Sequence, residues 1–475
     1  MQFLTIKTLS LLPFVLLMPI IKLSAQTYYA SPGASATWPL CSDINQPCSA
    51  VAAMANAVAG DTVYFRGGQY ELYYDSSKPA SYYWYRGILN PSNSGQPGNP
   101  ITFMAYPNET PVMNAHTKNN ENGAGAFGNN GSKSYIVFDG FSVMADNGTK
   151  MARMLITGNE TSPSQRVVGN VVKNMTFNGG SAIVTSTDNQ DGLRLENTTG
   201  SLIQNNKFFS YRQVTNSANT AAIKMYDNNQ AVLENMEIYN SSAAIHLKDN
   251  TDDSIVRNNF LHGNFRSLLG QIVDIDSSSD NIAVYNNLIV NSPGSVGLGI
   301  GVLDLDDLGA TADEWTIYNN TIVNTRTAIG GATGSWKIWN NIIVTEGASS
   351  SRRTYSMYEG NTLAQSDHNQ FGESIWMITQ VYGIPGNNAI YTSLAAWQAS
   401  GELEDSGNPG VGSLASDPMF INASGTLSEL EDFKLAVGSP SIGTGRNGVD
   451  MGVNIDTVGV YPNLSSDLIF TNSFE

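Results

Sequence analysis

The chain has 475 residues, a net charge of −17, only 14% charged residues and 45 glycines. The length allows one large or two ordinary domains, and the acidity excludes nucleic acid as a partner, because phosphate binding needs a basic footprint. Low charge with abundant Asn, Ser, Thr and Gly indicates a turn-rich β architecture.

Residues 1–25 read as a secretory signal peptide. Lys7 precedes an apolar run from Leu11 to Ile21, and Ser24-Ala25 offers a small-residue cleavage site. No later apolar run reaches the ~18 residues that would span a bilayer. A secreted or periplasmic location follows, and it suits the two cysteines, Cys41 and Cys48, as the ends of a small disulfide loop. The next segment, "CSAVAAMANAVAGDTVYF", predicts a short helix with Ser49 as N-cap and Gly60 at its stop. "DTVYFRGGQY" then reads as the first strand, and "YELYYDSSKPASYYWYRG" (70–87) as an aromatic insertion whose Trp84 could stack on a sugar ring.

A repeat organises the middle of the chain. "VKNMTF", "IQNNKF", "LENMEI", "VRNNFL", "VYNNLI", "IYNNTI" and "IWNNII" place their first Asn at 174, 205, 235, 258, 286, 319 and 340. Self-similarity at steps of 21 to 33 residues defines a solenoid. Short β-branched segments between Asn, Gly and Ser make each coil from strands and turns, and stacked Asn side chains predict a ladder along the turns. The expected fold is all-β, a parallel β-helix over 26–365 with a short N-terminal capping helix. Degenerate last coils and a C-terminal cap or tail of the same domain fill 366–475. "IYTSLAAWQASGELED" (390–405) suits a short amphipathic helix on those coils.

The order "YYASPG" (28–33), "AGDTVYFRGGQY" (59–70), "SGQPGNPITFMAYP" (94–107), "SYIVFDGFSV" (134–143), then "DPMF" (417–420) and "DFKLAVGSPSIGTG" (432–445), resembles secreted right-handed parallel β-helix polysaccharide lyases of the pectate lyase-like kind. "AAIHLKDNTDDSIVRNNF" (243–260) also resembles the lysine-bearing segment of alginate and chondroitin lyases of polysaccharide lyase family six, which would make Lys248 the catalytic base. Two departures stand out. Ala243, Ala244 and His246 occupy the place of that family's acidic metal ligands, and "QIVDIDSS" stands where it has Arg-His-Gly. Its general acid and calcium site therefore do not carry over.

Strand alternation orders one face of the solenoid. "GLRLE", "AIKMYD" and "AIHLKD" turn Leu193, Leu195, Ile223, Met225, Ile245 and Leu247 inward. Two outer columns result, Arg194–Lys224–His246–Asp274–Asp304 and Glu196–Tyr226–Lys248–Asp276–Asp306. In such a set Lys248 is the first candidate for a base and His246 the second, Tyr226 a proton donor, and Arg194 and Lys224 holders of substrate carboxylates. Arg266 and His262 in the adjoining loop are alternative acid and binding groups. Asp274, Asp276, Asp304 and Asp306 are oxygen ligands of the kind calcium takes. The reading is a monomeric exported lyase acting on an acidic polysaccharide such as pectate, alginate or a glycosaminoglycan. The alternatives are a β-helix glycoside hydrolase using paired aspartates and a non-catalytic glycan-binding surface protein.

Overall fold

The computed structural model describes residues 25–460, except 74–87, 117–125, 131–132, 146–153, 159–165, 182, 184–189, 273–278, 293–296, 305–311, 332–333, 346–351, 359–361, 374, 376, 381–387, 401–409 and 423–428. The chain winds through three sheets in turn. Leu202–Gln204 lies in the first, Lys207–Phe209 in the second and Thr220–Asn229 in the third, and Val232–Glu234 then opens the next coil beside Leu202–Gln204. Among the described residues the sheets hold 12, 12 and 13 strands, so each coil adds one strand to each. Among the described residues the strands of these sheets all pair in parallel except Met377–Gln380 with Asn388–Tyr391, which closes the third sheet. This is a right-handed parallel β-helix.

The repeat dictates the turn between the first two sheets. Its first Asn takes the left-handed conformation in all seven copies, with φ between 52° and 58°. Asn tolerates that region better than other residues with a Cβ, and one such residue bends the strand into the next sheet. The second Asn points inward and builds the ladder. Asn259, Asn287, Asn320 and Asn341 each donate to the Oδ1 of the next rung's Asn, ending at Asn369, over 2.9–3.0 Å. Their amides also reach back to carbonyls one coil earlier, such as Asn320 to Val284 at 2.9 Å. Met175 and Met236 interrupt the side-chain row, yet their N–H groups still donate to Asn206 and Asn259.

Inward residues fill the bore in stacked layers, Phe177 on Phe208 at 4.2 Å for example. At the N-terminal end the helix Ala50–Asn56 covers the bore, capped by Ser49 Oγ accepting from Ala52 N–H. The helix stops at Asn56, ahead of Gly60, because Ala57 already leaves the helical region. The first strand is Thr27–Ala30, which pairs with Thr62–Phe65, so "DTVYF" is the second rung. Cys41 and Cys48, expected to form a disulfide, are free thiols, and burial with Cys41 alongside pushes the Cys48 thiol up to about 12. At the other end Leu394–Ser400 is a helix whose Trp397 meets Tyr355 and Phe371 edge-on. Stacking continues past 365, since Gln370–Phe371 pairs with Leu414–Ala415.

The C-terminal segment then doubles back along the outside of the second sheet. Phe420, Phe433, Met451, Ile455 and Val458 cover Phe260, Leu288, Val290, Val323 and Ile342. The turn-forming asparagines bind it, Asn319 donating to the Asp450 carbonyl and Asn286 accepting from Asn454 N–H. Among the described residues no helix is long and apolar enough to cross a membrane.

Asn320 is fully buried and connects Asn287, Asn341 and Val284. Asn320→Ala strands those partners, so urea unfolding should show a loss of about 2 kcal/mol, and an unchanged midpoint would remove the ladder from the account of stability.

Candidate active site

Three adjacent strands of the third sheet, Gln190–Thr199, Thr220–Asn229 and Ala243–Lys248, carry the candidate groups. Their register aligns Arg194 with Lys224 and His246, and Glu196 with Tyr226 and Lys248. The intervening Leu193, Leu195, Ile223, Met225, Ile245 and Leu247 point into the bore. Over these rungs the two predicted columns are present.

Beyond them the columns end. His246 and Lys248 pair with Leu269 and Gln271, which pair in turn with Gly301 and Leu303. Asp304 pairs with Ile272, so it does not continue the Arg194 column. Asp274, Asp276 and Asp306 lie outside the described residues, as does the side chain of Asp304. The register follows from the preceding turn. Asn264 accepts from Ser241 N–H and donates to the Ile238 carbonyl, which starts the strand at Arg266. Arg266 follows Asn258 by the same eight residues that separate Ala243 from Asn235. Among the described residues no three His, Cys, Asp or Glu side chains converge on a metal position.

The inner column is roofed. Lys224 and His246 are 0% exposed. Lys224 Nζ lies 2.9 Å from Asp191 Oδ1 and donates to the Asn219 carbonyl at 2.8 Å. The His246 ring meets the Ala218 carbonyl through Nδ1 at 3.0 Å, and Arg266 Nη1 donates to the Asn216 carbonyl at 2.5 Å. Three carbonyls of one loop thus take three basic side chains from successive rungs. Buried Gln213 shapes that loop, its Oε1 accepting from Thr215 Oγ1 and Ser217 N–H. Sequence alternation had turned Lys224 and His246 toward substrate; here they are covered. Burial lowers the Lys224 ammonium to about 8 despite Asp191, and burial with Lys224 and Lys248 nearby drives His246 well below its usual range. His246 Nε2 is buried without a hydrogen-bond partner among the described residues; Gln271 approaches it closely enough to favour the protonated ring slightly.

A cation–aromatic–cation stack runs across the two columns. Arg194 Cζ lies 4.6 Å and Lys248 Nζ 4.8 Å from the centroid of the Tyr226 ring. Each such contact contributes about 0.5–2 kcal/mol depending on desolvation. Arg194 also pairs with Glu196 and, at 3.3 Å, with Asp191, so it is no free carboxylate clamp. Lys248 differs: among the described residues no carboxylate lies within ion-pair distance of its ammonium. Burial lowers its pKa against the pull of Asp249. Tyr226 is raised by burial and stays a neutral phenol, and its hydroxyl has no partner among the described residues.

His262 belongs elsewhere. It lies on the second sheet, stacked on Tyr239 and Phe260 and 3.2 Å from Glu237, so it cannot join Arg266 at this site. Trp84 lies outside the described residues. Asp191 was missed because alternation was read only from Leu193 onward. The loop left a signal, since Thr220 follows Asn205 by fifteen residues where the next two coils use eight.

No family model and no curated protein matches the chain. Among solved structures, pectate lyase Pel9A superposes with a TM-score of 0.54 at 14% identity, covering 90% of this chain and 96% of that one. The likeness establishes the right-handed parallel β-helix as the fold. A family-six polysaccharide lyase from Pseudopedobacter saltans aligns over 86% of this chain and 96% of its own, at 11% identity and a TM-score of 0.41. A lacto-N-biosidase from Eubacterium ramulus aligns over 73% and 64%, at 10% identity and 0.47.

The state of His246 has a measurable consequence. The unfolded chain takes up a proton near the usual 6.5, and the folded ring only well below it. Stability must therefore fall as pH drops below 6.5. His246→Gln should shrink the loss of urea midpoint between pH 7.5 and pH 5, and an unchanged loss would show that the ring titrates freely.

Proposed function

We propose that the chain is an exported polysaccharide lyase that cleaves a uronate-containing polysaccharide by β-elimination, with Lys248 as the proton acceptor. The observation that carries this reading is the stack of Arg194, Tyr226 and Lys248, which combines an amine without an ion pair and a neutral phenol without a hydrogen-bond partner among the described residues. A lysine desolvated in this way reaches its neutral form nearer to pH 7, where it can act as a base.

The chemistry follows from these groups. The neutral Lys248 amine takes the proton from C5 of the uronate. The released electron pair forms the C4–C5 double bond as the C4–O bond breaks, and the Tyr226 hydroxyl supplies a proton to the departing oxygen. Solvent then returns the proton from Lys248 to Tyr226. Arg194, held by Glu196 and Asp191, contributes positive potential beside the ring. Calcium has no ligand set among the described residues, and no step here depends on it. Export is supported by the apolar segment after Lys7.

The assay uses pectate, alginate, hyaluronan, chondroitin and heparin-type chains. A lyase leaves an unsaturated uronate that absorbs in the ultraviolet, a hydrolase releases reducing ends without that absorbance, and a binding protein does neither. Lys248→Ala should cut the absorbance rate at least ~100-fold, and Tyr226→Phe at least ~10-fold, as loss of a general base or acid does. Full activity in a folded Lys248→Ala protein would refute the assignment.

A further inference from the structure

The third sheet gathers positive charge at a second place, along the edge where its strands begin. Arg266 opens one strand, and the register runs from it through Leu298 and Thr327 to Arg353, which opens another. Arg326 directly precedes Thr327, and Arg352 precedes Arg353. The two pairs lie side by side, since Arg353 N–H donates to the Arg326 carbonyl at 2.6 Å. Arg266 and Arg353 are three rungs apart, about 14 Å along the stack, and Arg326 and Arg352 fill the far end of that span.

All four arginines are partly exposed. Burial lowers the Arg353 guanidinium below its usual range, and the charge of Arg326 lowers it further. Arg352 Nη1 is buried with no hydrogen-bond partner among the described residues. Arg266 is held by a neutral group, the Asn216 carbonyl. Like charges collected in this way repel one another, and a nearby anion relieves the repulsion. The rest of the molecule makes the collection more pointed. A chain of net charge −17 repels a polyanion as a whole, and a local basic edge is what reverses the field.

We propose that Arg266, Arg326, Arg352 and Arg353 form a secondary binding edge for the acidic polysaccharide, holding carboxylates of a chain that is engaged at Lys248 and continues along the solenoid axis. This rests on the reading of the substrate as a uronate polymer, and not on Lys248 as the base. Lys248 lies one rung before Arg266 and four before Arg353, about 19 Å along the axis from the far end. A guanidinium takes a carboxylate through two parallel N–H groups and has five to offer, so other contacts of Arg326 and Arg353 leave room for it.

The test is binding by Lys248→Ala protein, which avoids turnover, followed by isothermal titration at low ionic strength. The probes are pectate, alginate, hyaluronan, chondroitin and heparin-type chains, and the carboxyl-reduced form of whichever binds. Arg326→Gln/Arg353→Gln should weaken binding of the acidic polymer about 10-fold, as loss of two partly exposed ion pairs does. Arg326→Lys/Arg353→Lys keeps the charge and should bind more tightly than the Gln pair, an order that a purely structural role would not produce. Should the Gln pair fail to fold, Arg352→Gln alone reads the same effect at about 3-fold. Unchanged affinity in these folded variants, or equal binding of the carboxyl-reduced polymer, overturns the proposal. Binding of none of the five polymers overturns it together with the substrate reading. Arginine-dependent binding without any ultraviolet product from the wild-type protein supports the edge and counts against the lyase reading alone.

Discussion

Everything in this molecule depends on rungs that stack in register, and the inward asparagine enforces that register. One amide satisfies the N–H of its neighbour, a carbonyl one coil away and the next amide in the row, as Asn287 and Asn320 do. A slip by one residue would bury several of these groups without partners, at about 1–3 kcal/mol each. The first asparagine of each repeat has a different task. Its left-handed backbone turns the chain between sheets, and at 235, 286, 319 and 340 its side chain binds the returning C-terminal segment.

Register is what brings chemistry to the third sheet. Arg194, Lys224 and His246 come from positions 22 to 52 residues apart, yet they align because each coil repeats the same path. Their outcomes differ because their surroundings differ. The loop from Gln213 to Asn219 seals Lys224 and His246, while Tyr226 holds Arg194 and Lys248 apart on its two faces. The outward positions read from alternation therefore divide into buried ion pairs around Arg194 and Lys224 and a lysine, Lys248, with no ion pair among the described residues.

The solenoid was readable from the chain because Asn at near-regular steps is a local signal with a local cause. The columns were readable over the three rungs whose strands follow the same alternation. They failed at "QIVDIDSS", where two patterns of alternation fit the residues and only the Asn264 turn selects Arg266 as the strand start. Burial was harder still. Nothing in "AIKMYD" announces that the loop just before it will cover Lys224, since that depends on where three carbonyls fall in space. His262 was misplaced for a similar reason: it is near Arg266 in sequence, but a turn at Gly263 and Asn264 sends the two onto different sheets.

The returning C-terminal segment gives this one-dimensional stack an unusual property. Contacts between coils join residues a few tens apart, whereas Asn235 reaches Thr457 across 222 residues and Arg446 N–H reaches Asn340 across 106. A strap that fits the surface asparagines at 235, 286, 319 and 340 together can seat only when the coils between them number correctly. The last part of the chain thus acts as a gauge of the whole, accepting a finished helix of the right pitch and rejecting one with a coil skipped or looped out.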